Sequence, residues 1–293
     1  MYVGGFIPEG ENGKDATYII FNYSSLRNEW NVVATPPVLM GGLAAFSGKL
    51  VSVGGRRRNE VSNAVYVFDD KSRKWKESIA RLHKRRMLPS CASYHSLLVA
   101  CGGVYIRQAS GHQQPVQSIE IFSSKTKEWF MMGDLLPTDF AFSSNVVLNN
   151  CCYFLGAFTP QKEGPLRFQK SILCLSLPSA HNDQDISHNV VLKAISNTPH
   201  LGSVAAKLGW ELLALGGAVS LASDSQEEQT EKETKMIHVY CPLTTSWIPS
   251  GTTIISVLGP NSAVAQVSDT RLLIIDTDSC QVFKVTLLIE HAL

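Results

Sequence analysis

The segment Leu50-Val51-Ser52-Val53-Gly54-Gly55, a variable stretch, Ala64-Val65-Tyr66-Val67-Phe68, six further residues and Trp75 make up a unit that returns along the chain. Such a unit has short apolar runs on two faces and no second layer of its own. It must stack against copies of itself to bury them, so the chain is confined to repeat architectures. The first copy has Met1-Tyr2-Val3-Gly4-Gly5, Tyr18 to Tyr23 and Trp30. The third has Leu97 to Cys101, Gly102-Gly103, Ile119-Glu120-Ile121-Phe122 and Trp129. In the fourth, Ala157 replaces the second glycine after Gly156, and Ile172-Leu173-Cys174-Leu175 is followed by no tryptophan. The fifth is intact, with Leu212 to Leu215, Gly216-Gly217, Ile237-His238-Val239-Tyr240 and Trp247. A sixth is sketched by Leu272 to Ile275 and Val282 to Val285.

The steps between corresponding positions, from Gly5 to Gly55, Gly103, Ala157 and Gly217, are 50, 48, 54 and 60 residues. A further short β-prone segment of small residues precedes each later glycine strand: Leu43 to Phe46, Cys91 to Tyr94, Ser144 to Val147, Ser203 to Ala206 and Ser262 to Ala265. With the strand running on from Trp, each unit reads as a four-stranded antiparallel meander, and radial repetition of such sheets makes a propeller. The paired glycines answer a backbone need, either positive φ or close approach of another chain. The repeated tryptophans Trp30, Trp75, Trp129 and Trp247 read as wedges between adjacent blades rather than as ligand-stacking platforms. Truncation of one to alanine would cost roughly 3–5 kcal/mol.

On these residues the chain resembles kelch-repeat β-propellers, in particular the kelch domain of kelch-like proteins. The glycine pairs Gly4-Gly5, Gly54-Gly55, Gly102-Gly103 and Gly216-Gly217, the aromatics Tyr23, Phe68, Phe122 and Tyr240, and the four tryptophans carry the likeness. The fold expected is all-β: one kelch propeller over residues 1–293 with units at about 1–42, 43–89, 90–142, 143–202, 203–260 and 261–293. Six blades are expected with the last incomplete. Thr286 to Glu290 would close the ring; a five-bladed ring closed by Ser262 to Ala265, or a piece of a longer protein, is the alternative. The resemblance implies a protein-interaction module. In kelch-like proteins the propeller holds a substrate while a BTB domain docks on a cullin ubiquitin ligase, and no BTB segment is present in these residues.

In a meander, the connections after the glycine pairs and those linking one blade to the next emerge on the same rim. The distance from the second glycine to the aromatic varies, at 18, 13, 19 and 23 residues in the first, second, third and fifth units. Loop lengthening is thermodynamically mild, so this rim is where binding is expected. It carries Arg56-Arg57-Arg58 and the run Arg81-Leu82-His83-Lys84-Arg85-Arg86. The two runs should be spatial neighbours. Guanidinium groups grip carboxylates and phosphates in bidentate fashion, so Arg56, Arg57, Arg58, Arg81, His83, Lys84, Arg85 and Arg86 form a candidate docking patch for an acidic or phosphorylated peptide. A solvated charged rim is the plainer alternative. The acidic stretch Asp224 to Glu233 is expected to lack fixed structure.

A formal net charge of +1 supplies no global field toward nucleic acid or membrane, and no apolar run approaches a membrane span. Seven cysteines, an odd number without C-x-x-C spacing, fit reduced thiols in the cytosol, with the nucleus as the alternative. No basic segment followed by an apolar stretch and cleavage site opens the chain, so a secretory leader is not expected. The eight histidines show no metal-ligand spacing, which argues against the copper oxidases built on some kelch propellers. No catalytic, metal or cofactor site is expected, and the chain reads as non-enzymatic.

Overall fold

Each repeat becomes a meander because its apolar segments are short, rich in Val, Ile and aromatic residues, and separated by polar turns. The computed structural model describes residues 2–7, 17–24, 26–33, 35–58, 60–107, 112–138, 140–159, 167–178, 186, 190–220, 231–254, 258, 262–268, 271–276 and 281–286. The chain divides into two compact units, Met1–Thr138 and Asp139–Leu293.

The first unit holds three antiparallel sheets. Strands β1 (Tyr2–Ile7), β2 (Thr17–Ser24) and β3 (Glu29–Val33) form a three-stranded one. The second runs through β4 (Gly42–Phe46) and β5 (Lys49–Val53), leaves for a ribbon of β6 (Arg56–Arg57) and β7 (Glu60–Val61), and returns in β8 (Val65–Asp69) and β9 (Lys74–Glu77). The third repeats this plan with β10 (Ser90–Tyr94), β11 (Leu97–Cys101), the ribbon β12 (Val104–Ile106) and β13 (Gln113–Pro115), then β14 (Ser118–Ser123) and β15 (Glu128–Asp134).

In the second unit, β16 (Phe142–Leu148), β17 (Cys151–Thr159), β19 (Ser171–Ser176) and β20 (Val191–Asn197) make the fourth sheet, with β18 (Arg167–Phe168) paired to β17. The fifth has β21 (Val204–Leu208), β22 (Glu211–Leu215), the ribbon β23 (Ala218–Ser220) and β24 (Glu231–Glu233), β25 (Met236–Cys241) and β26 (Ser246–Thr253). The sixth has β27 (Ala263–Ser268), β28 (Arg271–Asp276) and β29 (Gln281–Thr286). The fold is all-β, and the last sheet shows three strands among the described residues. Leu287 to Glu290, expected to close the ring, lie outside the described residues.

Three expectations change in detail. The stretches after Gly55, Gly103 and Gly217, read from sequence as loops, are two-stranded ribbons, because residues on either side of the excursion pair before the chain rejoins the sheet. The acidic stretch ends in ordered backbone, Glu231 to Glu233 forming β24, while Asp224 to Thr230 lie outside the described residues. Gly4 and Gly5 sit inside β1, opposite Ile20 and Ile19, whereas in the second, third and fifth copies the pair follows the strand end.

The aromatic-x6-Trp spacing is a hairpin register. Tyr23, Phe68, Phe122 and Tyr240 lie directly opposite Trp30, Trp75, Trp129 and Trp247. Their ring centroids stand 5.0, 5.3, 5.5 and 5.3 Å apart with tilted planes, the contact that favours aromatic pairs across a sheet. Neighbouring sheets then pack face to face. Trp75 joins Ile20 and Val33 of the first sheet to Leu50 and Phe68 of the second, and Trp129 lies with Phe46, Val51 and Val53. In the second unit Trp247 lies with Leu148, Leu155 and Ile172, and Leu215 and Ile237 meet Leu272 and Ile274.

Gly54 and Gly55 show why a glycine pair ends the strand. Both have positive φ, 66° and 101°. A Cβ on Gly54 would lie 2.3 Å from the carbonyl oxygen of Arg86, in the chain entering the next sheet. One on Gly55 would lie 2.7 Å from that of Leu39, in the chain entering its own sheet. The pair thus lets two incoming links press against one strand end.

Candidate functional site

The link from β9 to β10 carries Arg81 to Arg86, and its course is fixed by both neighbouring sheets. Leu82 is buried in the core shared by the second and third sheets. Its backbone N–H donates to Asn63 O (3.0 Å), while Asn63 Nδ2 donates to Leu82 O (2.8 Å). Arg86 N–H donates to Ser62 O (3.1 Å), and Gly55 N–H to Arg86 O (2.8 Å). The link therefore runs beside the end of the β6–β7 ribbon, and the two basic runs are neighbours.

The other clamp is Glu120 on β14. Its carboxylate is fully buried and accepts the backbone N–H of His83 (2.6 Å) and of Lys84 (3.0 Å), and Arg86 Nη2 (2.6 Å); His83 Nδ1 lies 3.0 Å away. Arg86 is itself 0% exposed. Its Nη1 donates to Gly102 O (3.1 Å) and Ser118 O (2.9 Å), and its Nη2 also donates to Ser118 Oγ (2.7 Å). This corrects the sequence expectation for one residue: Arg86 is not on the rim, because its guanidinium is consumed by a buried carboxylate and two carbonyls. These partners offset part of the pair's desolvation, while Nε of Arg86 is buried without a hydrogen-bond partner among the described residues. His83 is half exposed but tied to Glu120, and Lys84 Nζ pairs with Asp134 Oδ1 at 2.6 Å.

The remaining arginines open onto one groove of about 740 Å³, walled by Arg57, Arg58, Arg81 and Arg85 with Glu60, Glu77, Ser62 and Asn63. Arg57, Arg58 and Arg85 are exposed, and none of them makes an ion pair among the described residues. Arg81 is engaged by Glu77. Arg56 stands apart, outside the groove lining, its Nε donating to the Arg58 carbonyl (3.0 Å). Tyr66 on β8 lies among these lining residues; it is 4% exposed, and its hydroxyl is 3.4 Å from Glu77 Oε2. Burial and the Glu77 charge push the phenol above its ordinary value, against the pull of Arg57 and Arg81. At neutral pH the groove presents guanidinium charge and a neutral hydroxyl. Arg85 also lines a second groove of about 380 Å³, with Lys84, Tyr105, Gln114, Pro115, Val116, Gln117 and Asp134.

Sequence reasoning missed Tyr66 and Glu120. Glu120 carried a signal, since it is the one charge in the run Ser118-Ile119-Glu120-Ile121-Phe122. Tyr66 carried none, for an aromatic in a strand reads as core. Among the described residues no group of three or more His, Cys, Asp or Glu is placed to hold a metal ion.

Residues 42–80, the second sheet from β4 to β9, match the Kelch motif. Kelch-like protein 38 of Danio rerio is 29% identical over 93 residues, 31% of this chain, and the match spans only 16% of that protein. A solved structure, titled "Structure of YjhT", superposes with a TM-score of 0.67 over 94% of this chain and 89% of that one, at 14% identity. The fold is a kelch β-propeller.

Aligned by their kelch landmarks, the second, third and fifth copies fill one buried pair of positions differently. Val38, Arg86 and His200 each immediately precede the bridging residue of the incoming link, Leu39, Met87 or Leu201. Tyr66, Glu120 and His238 each stand two before the hairpin aromatic. The second sheet thus packs Val38 against Tyr66, the third pairs Arg86 with Glu120, and the fifth stacks His200 on His238 with centroids 4.7 Å apart. Among the described residues of these three sheets, the second leaves a hydroxyl at this position beside an arginine-walled groove.

Proposed function

We propose that this kelch propeller is a non-enzymatic protein-interaction module that binds an acidic or phosphorylated peptide in the groove walled by Arg57, Arg58, Arg81 and Arg85. The observation that carries the reading is the convergence of three exposed guanidiniums, with no ion-pair partner among the described residues, on one groove. Glu60 and Glu77 offset part of the charge, Glu77 being held by Arg81, and the balance favours an anion that can accept bidentate hydrogen bonds. The groove lies within the 300–1,000 Å³ range of binding sites.

Likeness to Kelch-like protein 38 supports a second, narrower role. If a BTB domain accompanies this propeller, the groove would be the substrate-holding surface of a cullin-based ubiquitin ligase. The cytosol, with the nucleus as alternative, is our reading of where it acts, supported by six described cysteines that form no disulfide among themselves.

Fluorescence-polarisation titration of Glu-rich and phosphoserine peptides tests the groove. Both Arg57→Glu and Arg85→Glu sit on exposed side chains, so the double variant should fold normally. It should weaken binding by roughly tenfold or more, with added salt eroding wild-type affinity in parallel. Unchanged binding by that variant overturns the proposal, and comparison of the two peptides tells carboxylate from phosphate.

A further inference from the structure

We infer that the ligand is an extended peptide crossing Arg85, with its acidic residues in the arginine groove and an adjoining apolar or aromatic residue in the groove between Lys84 and the β12–β13 ribbon. This rests on the acidic-peptide reading above and deepens it. The two grooves share Arg85 as a common wall, so a chain leaving one enters the other. Their chemistry differs in a definite way. In the arginine groove the guanidiniums of Arg57, Arg58 and Arg85 lack ion-pair partners among the described residues. In the second groove the cation that Arg85 does not supply is already neutralised, Lys84 Nζ lying 2.6 Å from Asp134 Oδ1.

Beyond the shared Arg85, what the second groove offers is surface without net charge. Tyr105 and Gln114 are register partners across the ribbon and share a face, and Val104 and Pro115 pair beside them. Tyr105, Gln114 and Pro115 are half-buried, while Val116 is 7% exposed. Gln117 has its amide committed, Nε2 donating to Leu136 O at 2.9 Å. An aromatic ring, a prolyl ring and an amide around about 380 Å³ suit one apolar or aromatic side chain, and they offer a second carboxylate no free cation besides Arg85. The link between the grooves is held by Glu120, so the wall they share is in place before the ligand arrives.

The test uses fluorescent peptides with a fixed Glu-rich core and either Phe or Ala scanned along both flanks, titrated into the whole chain. Phe should bind roughly tenfold or more tightly than Ala at one flank position, as burial of an aromatic side chain predicts. That Phe/Ala ratio should fall to about one in Tyr105→Ala and in Gln114→Lys, which perturb the groove independently, while the Ala peptide keeps its wild-type affinity for Tyr105→Ala. Equal affinity of Phe and Ala peptides at every position, with the core still bound, overturns this inference and leaves the acidic-peptide reading standing. Failure of every core peptide to bind overturns both.

Discussion

Two places before each hairpin tryptophan the chain turns left-handed: Asn28 at φ 57°, Arg73 at 54°, Lys127 at 65° and Thr245 at 51°. Asparagine tolerates that conformation, whereas a β-branched residue is strained there by roughly 1–2 kcal/mol. Thr245 has its hydroxyl turned to the carbonyl of Thr244 (2.8 Å), a contact too local to hold the turn. Replacing Thr245→Asn should therefore raise stability by roughly 0.5–1 kcal/mol, read as a higher urea midpoint at unchanged slope. The opposite change, Gly54→Ala, meets the Arg86 carbonyl as well as a φ of 66°, so its cost should exceed the left-handed strain alone. The glycine pairs were legible in the sequence because no other residue type suits both demands. The four-fold recurrence of a left-handed residue before Trp was not, since Asn, Arg, Lys and Thr share no chemistry and the conformation is imposed by the register of the hairpin.

On the side of the third sheet, a single side chain holds the link carrying His83 to Arg86. Glu120→Ala would leave the Arg86 guanidinium buried without its counter-charge and free two backbone N–H groups, at a cost of roughly 3–5 kcal/mol in equilibrium unfolding. Arg86→Met combined with Glu120→Leu should recover much of that loss, because an apolar pair of similar volume removes the desolvation penalty. The second sheet already keeps such an arrangement in Val38 and Tyr66. The double variant should still lower peptide affinity, since Lys84 and Arg85 lose the anchor beside them. Much of the candidate site was legible at this scale. A meander puts both loop sets on one rim, and that placed Arg57 and Arg58 beside Arg81 and Arg85. It could not sort Arg85 from Arg86, because adjacent residues in a basic run look alike until one of them meets a buried carboxylate.

Across the molecule the same repeat is written six times, and the strand plan follows the sequence closely where apolar runs alternate with turns. It departs after the glycine pairs, where ribbon pairing between Arg56 and Val61, or Val104 and Pro115, depends on partners that no local pattern reveals. The divergence between copies has a consequence for the chain's response to acid. His200 and His238 are 9% and 7% exposed, and neither nitrogen of His200 nor Nδ1 of His238 has a hydrogen-bond partner among the described residues. Burial lowers both from the ordinary 6.5, and His238 lowers His200 further. A histidine held below its unfolded value is neutral when folded, so the unfolded chain takes up the proton first as pH falls. The stability from this pair is therefore complete above the unfolded value and declines as pH drops from about 6.5 toward the lower folded values. Urea midpoints should fall between neutral pH and about pH 5, and His200→Val with His238→Tyr, which copies Val38 and Tyr66, should flatten that part of the profile. An equal pH dependence in the histidine double variant and the wild type would show that the stacked imidazoles contribute nothing to it.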